Sequence, residues 1–108
     1  MITTKKIPTY GLRYSVKRRG KEIGRAFLYF MYNDIKGKWF GYIEDLHIDE
    51  LYRGKGIGSN LIKLMIKRCK KEGGYKVELV TGYDNTGARA LYEKLGFKKL
   101  GTDYKMYL

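Results

Sequence analysis

Residues Tyr52 to Lys71 read YRGKGIGSNLIKLMIKRCKK, a basic, glycine-rich loop running straight into a helical pattern. Gly54, Gly56 and Gly58 remove side chains where a ligand would approach the backbone. The first N–H groups of a helix have no acceptor within it, and the helix dipole adds positive potential at that end. Arg53 and Lys55 add charge, and Ser59 adds a hydroxyl. The run Arg53, Gly54, Lys55, Gly56, Ile57, Gly58, Ser59 is therefore a candidate phosphate cradle, able to seat a pyrophosphate on backbone donors. The plainer alternative is a glycine-rich turn ahead of a core helix. Spacing removes two better-known phosphate loops. A Walker loop needs Gly-x4-Gly-Lys-Ser/Thr, which is not present. The dinucleotide fingerprint needs Gly-x-Gly-x-x-Gly after a strand, and Gly54-Lys55-Gly56-Ile57-Gly58 does not fit it.

Other chemistries are sparsely supplied. His47 is the only histidine, so a Ser-His-Asp triad would have to be built around it. Cys69 is the only cysteine, which excludes an internal disulfide and a cysteine-based zinc site, and no metal site is expected. A reducing, cytoplasmic setting fits. No stretch has the apolar length of a membrane span and the N-terminus has no signal-peptide core, so no membrane partner is expected. Lys and Arg number 23 against 11 Asp and Glu, a net charge of +12 over 108 residues. That excess attracts anions, whether nucleic acid or a small polyphosphate, although a lysine-rich solvated surface explains much of it.

The elements that must position this loop follow from periodicity. After a basic arm (Met1 to Pro8), Leu12–Arg18, Glu22–Tyr32 and Trp39–Ile48 alternate as strands, separated by turns at Arg19–Lys21 and Asn33–Lys38. Ile57 to about Lys71 places Ile57, Leu61, Leu64 and Met65 on one helical face, widened by Ile62 and Cys69, with Lys63, Lys67 and Lys70 opposite. Gly73-Gly74 ends that helix, and Lys76–Thr81 is a strand. Strand, helix, strand reads as a βαβ unit, which makes the third and fourth strands parallel. A second helix spans Thr86–Leu95, capped by Asp84 or Asn85 and stopped by Gly96. Phe97–Leu100 and Tyr104–Leu108 read as short terminal strands. The expectation is a single α/β domain over residues 1–108, a mixed sheet with two helices.

Arg53-Gly54-Lys55-Gly56-Ile57-Gly58 resembles the Arg/Gln-x-x-Gly-x-Gly/Ala signature of the GNAT superfamily of acyl-CoA-dependent N-acetyltransferases. A second block, DNTGARALYEKLGF, carries Asn85, Ala88, Tyr92, Gly96 and Phe97 in the family's Asn-x-x-Ala-x-x-x-Tyr-x-x-x-Gly-Phe pattern. The two motifs stand in the family's order. The resemblance runs from Trp39 to Leu108 and is looser over the first 38 residues.

The resemblance implies acetyl-CoA as cosubstrate and direct attack of an amine acceptor on its thioester. It implies a bulged third strand that splays from its parallel neighbour to admit the pantetheine arm, with Leu46, His47 and Ile48 offering backbone groups and Arg53 to Ser59 holding the pyrophosphate. An N–H at Leu46 or His47 would serve the oxyanion. Tyr92 matches the family's general acid for the departing thiolate, and Asn85 would touch the CoA arm while capping the second helix. The plain alternative for Tyr92 is one more core aromatic among 11 tyrosines. The amine must lose a proton, and IEDL resembles the stretch from which some members draw an acceptor-binding carboxylate. Glu44 is the first candidate and Asp45 the second. Strand alternation puts Tyr42, Glu44, Leu46 and Ile48 on one face and Ile43, Asp45 and His47 on the other. Protein N-terminal acetyltransferases of this family that carry a Glu five residues before the Asn have Val80 as their counterpart here.

Most members place two helices between their first and second strands, where this chain has only the turn Arg18–Lys21. That implies an open acceptor groove, or a homodimer in which a partner supplies the wall. Tyr29, Phe30, Tyr32, Trp39 and Phe40 offer aromatic surface for such a dimer. Two other readings stand beside the enzyme: a basic nucleic-acid-binding module, and a CoA-binding member without catalysis.

Overall fold

A computed structural model describes residues 1–82 and 85–108. Three antiparallel strands, β1 (Thr9–Arg18), β2 (Lys21–Asn33) and β3 (Lys38–Ile48), form a meander. A 3₁₀ turn (Glu50–Tyr52) and helix α1 (Ile57–Lys71) lead to β4 (Val77–Leu79), which joins the sheet parallel to β3. The sheet order is β1-β2-β3-β4, and α2 (Thr86–Lys94) follows.

Local chemistry fixes each connection. Arg19 and Gly20 both take positive φ, 52° and 76°, the geometry of a two-residue hairpin whose twist matches its strands. At the second turn the Asn33 side chain accepts from the backbone N–H groups of Ile35 and Lys36 at 3.1 and 3.2 Å, so the polar side chain substitutes for missing ladder bonds. Helix α1 stops where Gly74 N–H donates to the Cys69 carbonyl at 2.8 Å.

Ala26, Leu28 and Phe30 of β2 and Ile43 of β3 pack against Leu61, Ile62, Met65 and Cys69 of α1 to make the core. The α1 residues recur at helical spacing on one face. Leu64, expected on that face, is 55% exposed. It lies on the far side of Leu61 from the arc centred on Ile62, Met65 and Cys69, and so turns to solvent. Gly41 lets the helix come close: a β-carbon there would lie 3.0 Å from the Cys69 sulfur and 3.2 Å from Leu28.

Several expectations change. Neither Phe97–Leu100 nor Tyr104–Leu108 forms a strand, and Leu100, Tyr104, Met106, Tyr107 and Leu108 are exposed. A strand needs a neighbour for its backbone groups, and β4 is only three residues long. The aromatics expected as surface for a dimer are largely used within the chain. Phe30 is fully buried beneath Tyr10, with ring centroids 4.8 Å apart, and Trp39 meets Tyr10 and Tyr32 edge-on at 5.7 and 5.2 Å. The basic arm is tied down by Lys5 Nζ, 2.8 Å from Asp34.

Candidate active site

The alternation expected along β3 breaks at Asp45. Glu44 faces Phe27 and His47 faces Arg25, so two residues of β3, Asp45 and Leu46, lie opposite the single residue Ala26. This is a β-bulge, and Asp45 within it takes a positive φ of 52°. The extra residue reverses which side each later side chain faces. Ile43, Leu46 and Ile48 all turn toward the core, while Glu44 and His47 share the opposite face. Ile43 lies opposite Glu44 as alternation expects, but the assignment of Leu46 and Ile48 to the Glu44 face, and of His47 to the other, is corrected. Alternation with a period of two holds only within an unbroken ladder.

Pairing between β3 and β4 ends at Ile43 with Leu79, just before the bulge, while β3 runs on to Ile48. The gap this opens is a cleft of about 200 Å³ lined by Ile43, Glu44, Asp45, Leu46, Leu79, Val80 and Tyr92. Tyr92 reaches it from α2. The Asn85 side chain caps that helix, accepting from Ala88 N–H at 3.2 Å. The alternative cap, Asp84, lies outside the described residues. Tyr92 packs on the core cluster and meets Phe97 edge-on at 5.9 Å. Burial raises its pKa above the ordinary phenol value, so the hydroxyl keeps its proton through neutral and mildly alkaline pH.

The cleft thus joins four predicted residues, Glu44, Asp45, Leu46 and Tyr92. His47 and Ile48 lie beyond its lining, and His47 Nε2 is 3.5 Å from Asp49. Leu79 and Val80 are walls of the cleft that motif spacing does not mark. The sequence signal was their place at the end of a strand parallel to β3.

The glycine-rich loop sits at the far end of β3. Gly54 and Gly56 take φ of 75° and 81°, which a side chain would strain. The first helical bond of α1 runs from Asn60 N–H to the Gly56 carbonyl at 3.0 Å. The N–H groups of Ile57, Gly58 and Ser59 therefore precede the helical ladder and are open to an anion. Arg53 is partly committed, because its Nε donates to the Ile48 carbonyl at 2.7 Å. That bond ties the loop to β3 and leaves the terminal nitrogens of Arg53 for a ligand. Lys63, Lys67 and Lys70 lie on the exposed side of α1.

A family model described as "Acetyltransferase (GNAT) family" matches residues 5–97. The chain belongs to the GNAT family. Among curated relatives, N-alpha-acetyltransferase 30 of Schizosaccharomyces pombe is 38% identical over 68 residues, 63% of this chain and 45% of that protein. Thialysine N-epsilon-acetyltransferase of Bos taurus is 35% identical over 78 residues, 72% of this chain and 45% of that protein. Among solved structures, an acetyltransferase of Trypanosoma brucei superposes with a TM-score of 0.79 at 29% identity, covering 93% of this GNAT chain and 69% of that one. The chain spans less than half the length of the curated relatives it matches, 45% or less of each. GNAT acetyltransferases as a family use acetyl-CoA. Among the described residues no helix is long and apolar enough to cross a membrane, and no three His, Cys, Asp or Glu residues group as metal ligands.

Proposed function

We propose that this GNAT chain is an acetyl-CoA-dependent N-acetyltransferase that passes the acetyl group directly to a primary amine. The observation that carries this reading is the cleft between bulged β3 and truncated β4, with the Tyr92 phenol, Glu44 and Asp45 on its walls. A flat, fully paired sheet would have no such opening. In this reading the pantetheine arm enters the cleft alongside the core-facing Leu46 and the backbone of His47 and Ile48. The pyrophosphate rests on the open N–H groups after Gly56, with Arg53, Lys55 and Ser59 around it.

The residue roles follow from what the reaction needs. Attack on the thioester carbonyl builds negative charge on its oxygen, and an N–H at Leu46 or His47 beside the bulge serves that charge. When the carbon–sulfur bond breaks, the thiolate needs a proton, and Tyr92 holds one at neutral pH. The attacking amine must arrive neutral. Glu44 stands at the cleft wall on the sheet face away from α1, and accepts that proton directly or through water. Asp45, held in the bulge, maintains the opening. Asn85 fixes the start of the helix that carries Tyr92, with its amide nitrogen left for the CoA arm.

The names of relatives suggest protein N-termini and lysine-like side chains as acceptor classes. Calorimetry with acetyl-CoA at low salt tests cosubstrate binding. Release of free CoA thiol with a panel of N-terminal peptides and small primary amines tests turnover. Absence of acetyl-CoA binding defeats the proposal, and binding without turnover on any amine reduces it to a CoA-binding role.

A further inference from the structure

Two basic runs far apart in sequence, KRRGK at Lys17–Lys21 and RGK at Arg53–Lys55, meet at one aromatic ring. The Arg18 guanidinium carbon lies 5.4 Å from the centre of the Tyr52 ring, and Lys55 Nζ lies 5.6 Å from it. Arg18 comes from the end of β1 and Lys55 from the glycine-rich loop. Two like charges held on one ring repel each other, and neither has an acidic partner among the described residues. The ring quadrupole offsets part of that repulsion. The loop is also held in position, because Tyr52 N–H donates to the Asp49 carbonyl at 2.9 Å and Arg53 Nε to the Ile48 carbonyl at 2.7 Å. Two cations gathered on one ring without an acidic partner among the described residues, one of them on the phosphate loop, have the chemistry of an anion seat.

We propose that Arg18 and Lys55, paired across Tyr52, form a second phosphate seat beside the pyrophosphate cradle, and that it takes the 3′-phosphate of CoA. This rests on the CoA-binding reading above. CoA carries one phosphate apart from its pyrophosphate, on the ribose, and 3′-dephospho-CoA differs from it by that group alone. Arg18 is the discriminating residue: its planar fork engages phosphate oxygens in pairs, whereas Lys55 also borders the pyrophosphate loop.

The test is calorimetric titration of the full chain and of Arg18→Met with CoA and with 3′-dephospho-CoA, at two salt concentrations. The methionine variant keeps an apolar stem over Tyr52, and its melting temperature checks the fold. The unaltered chain should bind CoA at least about tenfold more tightly than 3′-dephospho-CoA, as expected for a charge-assisted phosphate contact. Arg18→Met should lose most of that preference with its affinity for 3′-dephospho-CoA within about twofold of the parent. Equal affinity of the unaltered chain for both nucleotides overturns the proposal while leaving CoA binding intact. So does an equal loss of both affinities in Arg18→Met, which marks Arg18 as a diffuse attractor. Failure of either nucleotide to bind the unaltered chain overturns the CoA reading itself, and the seat with it.

Discussion

Glu44 and His47 lie on the same side of the sheet although they are three positions apart on one strand. A regular strand would put them on opposite sides. The bulge at Asp45 and Leu46 brings them together, and the same bulge turns Leu46 back onto the core. One extra residue therefore moves His47 to the Glu44 side of the sheet and an apolar side chain to the packed side.

The two carboxylates beside the cleft should behave differently. Glu44→Gln should lower turnover about 10²-fold at neutral pH, the usual effect of removing a general base. Asp45→Asn should leave turnover within about twofold, because Asn also tolerates the left-handed conformation. Asp45→Val forces a β-branched residue into that region and should cost about 1–3 kcal/mol of stability along with activity. Steady-state thiol release and denaturant melts measure both. If Asp45→Asn is the inactive variant, the base is Asp45.

Tyr92→Phe keeps the ring on the core and its edge-on contact with Phe97 while removing only the hydroxyl. Turnover should fall by about 10²-fold with acetyl-CoA affinity within about twofold. A parallel loss of affinity and turnover would assign the ring to packing alone. Because burial raises the phenol's pKa, the parent should show no descending limb of activity below pH about 10, the ordinary phenol value.

The approach of α1 to β3 should be intolerant of one methyl group. In Gly41→Ala the new carbon meets the Cys69 sulfur at 3.0 Å and Leu28 at 3.2 Å, so destabilisation of about 1–3 kcal/mol is expected. Cys69→Ala removes the nearer obstacle. The double variant should therefore be more stable than the sum of the two single losses, as a thermodynamic cycle from urea melts would reveal.

Stability should decline on the alkaline side. Burial raises the pKa of Cys69 and of Tyr14, Tyr42 and Tyr92 above their unfolded values. A group raised on folding gives its full stability below its unfolded pKa and loses it as pH climbs through the folded one. The decline should thus begin near pH about 8.5 from the thiol and steepen above about 10 from the phenols. Urea melts between pH 7 and 11 measure it. A flat profile across that window contradicts the linkage.

Helix α1 was legible because apolar residues recur at helical spacing from Ile57 to Cys69 and glycines bound it on both sides. The parallel partner of β3 was also legible, since strand, helix, strand admits little else. Its length was not. Lys76–Thr81 looks like a six-residue strand, but only Gly41, Tyr42 and Ile43 supply partners before the bulge. The bulge has no clear sequence mark, because its left-handed position holds Asp45 and not glycine. Terminal strands were overread because alternation reports a side-chain pattern and says nothing of a backbone partner. At the site, Tyr92 and the glycine loop stood out through motif spacing. The Arg53 bond to Ile48 and the meeting of Arg18 with Lys55 depend on how the first hairpin lies against the loop, which no local pattern encodes.

Cys69 is the chain's only cysteine, buried beneath Gly41 with its sulfur 3.5 Å from the Lys76 carbonyl. The protein therefore carries a built-in reporter of its own opening. A thiol-reactive dye stays silent toward the folded chain and labels it only when α1 lifts from the sheet, so the labelling rate clocks that event. The same silence leaves a thiol-release assay free of background from the protein.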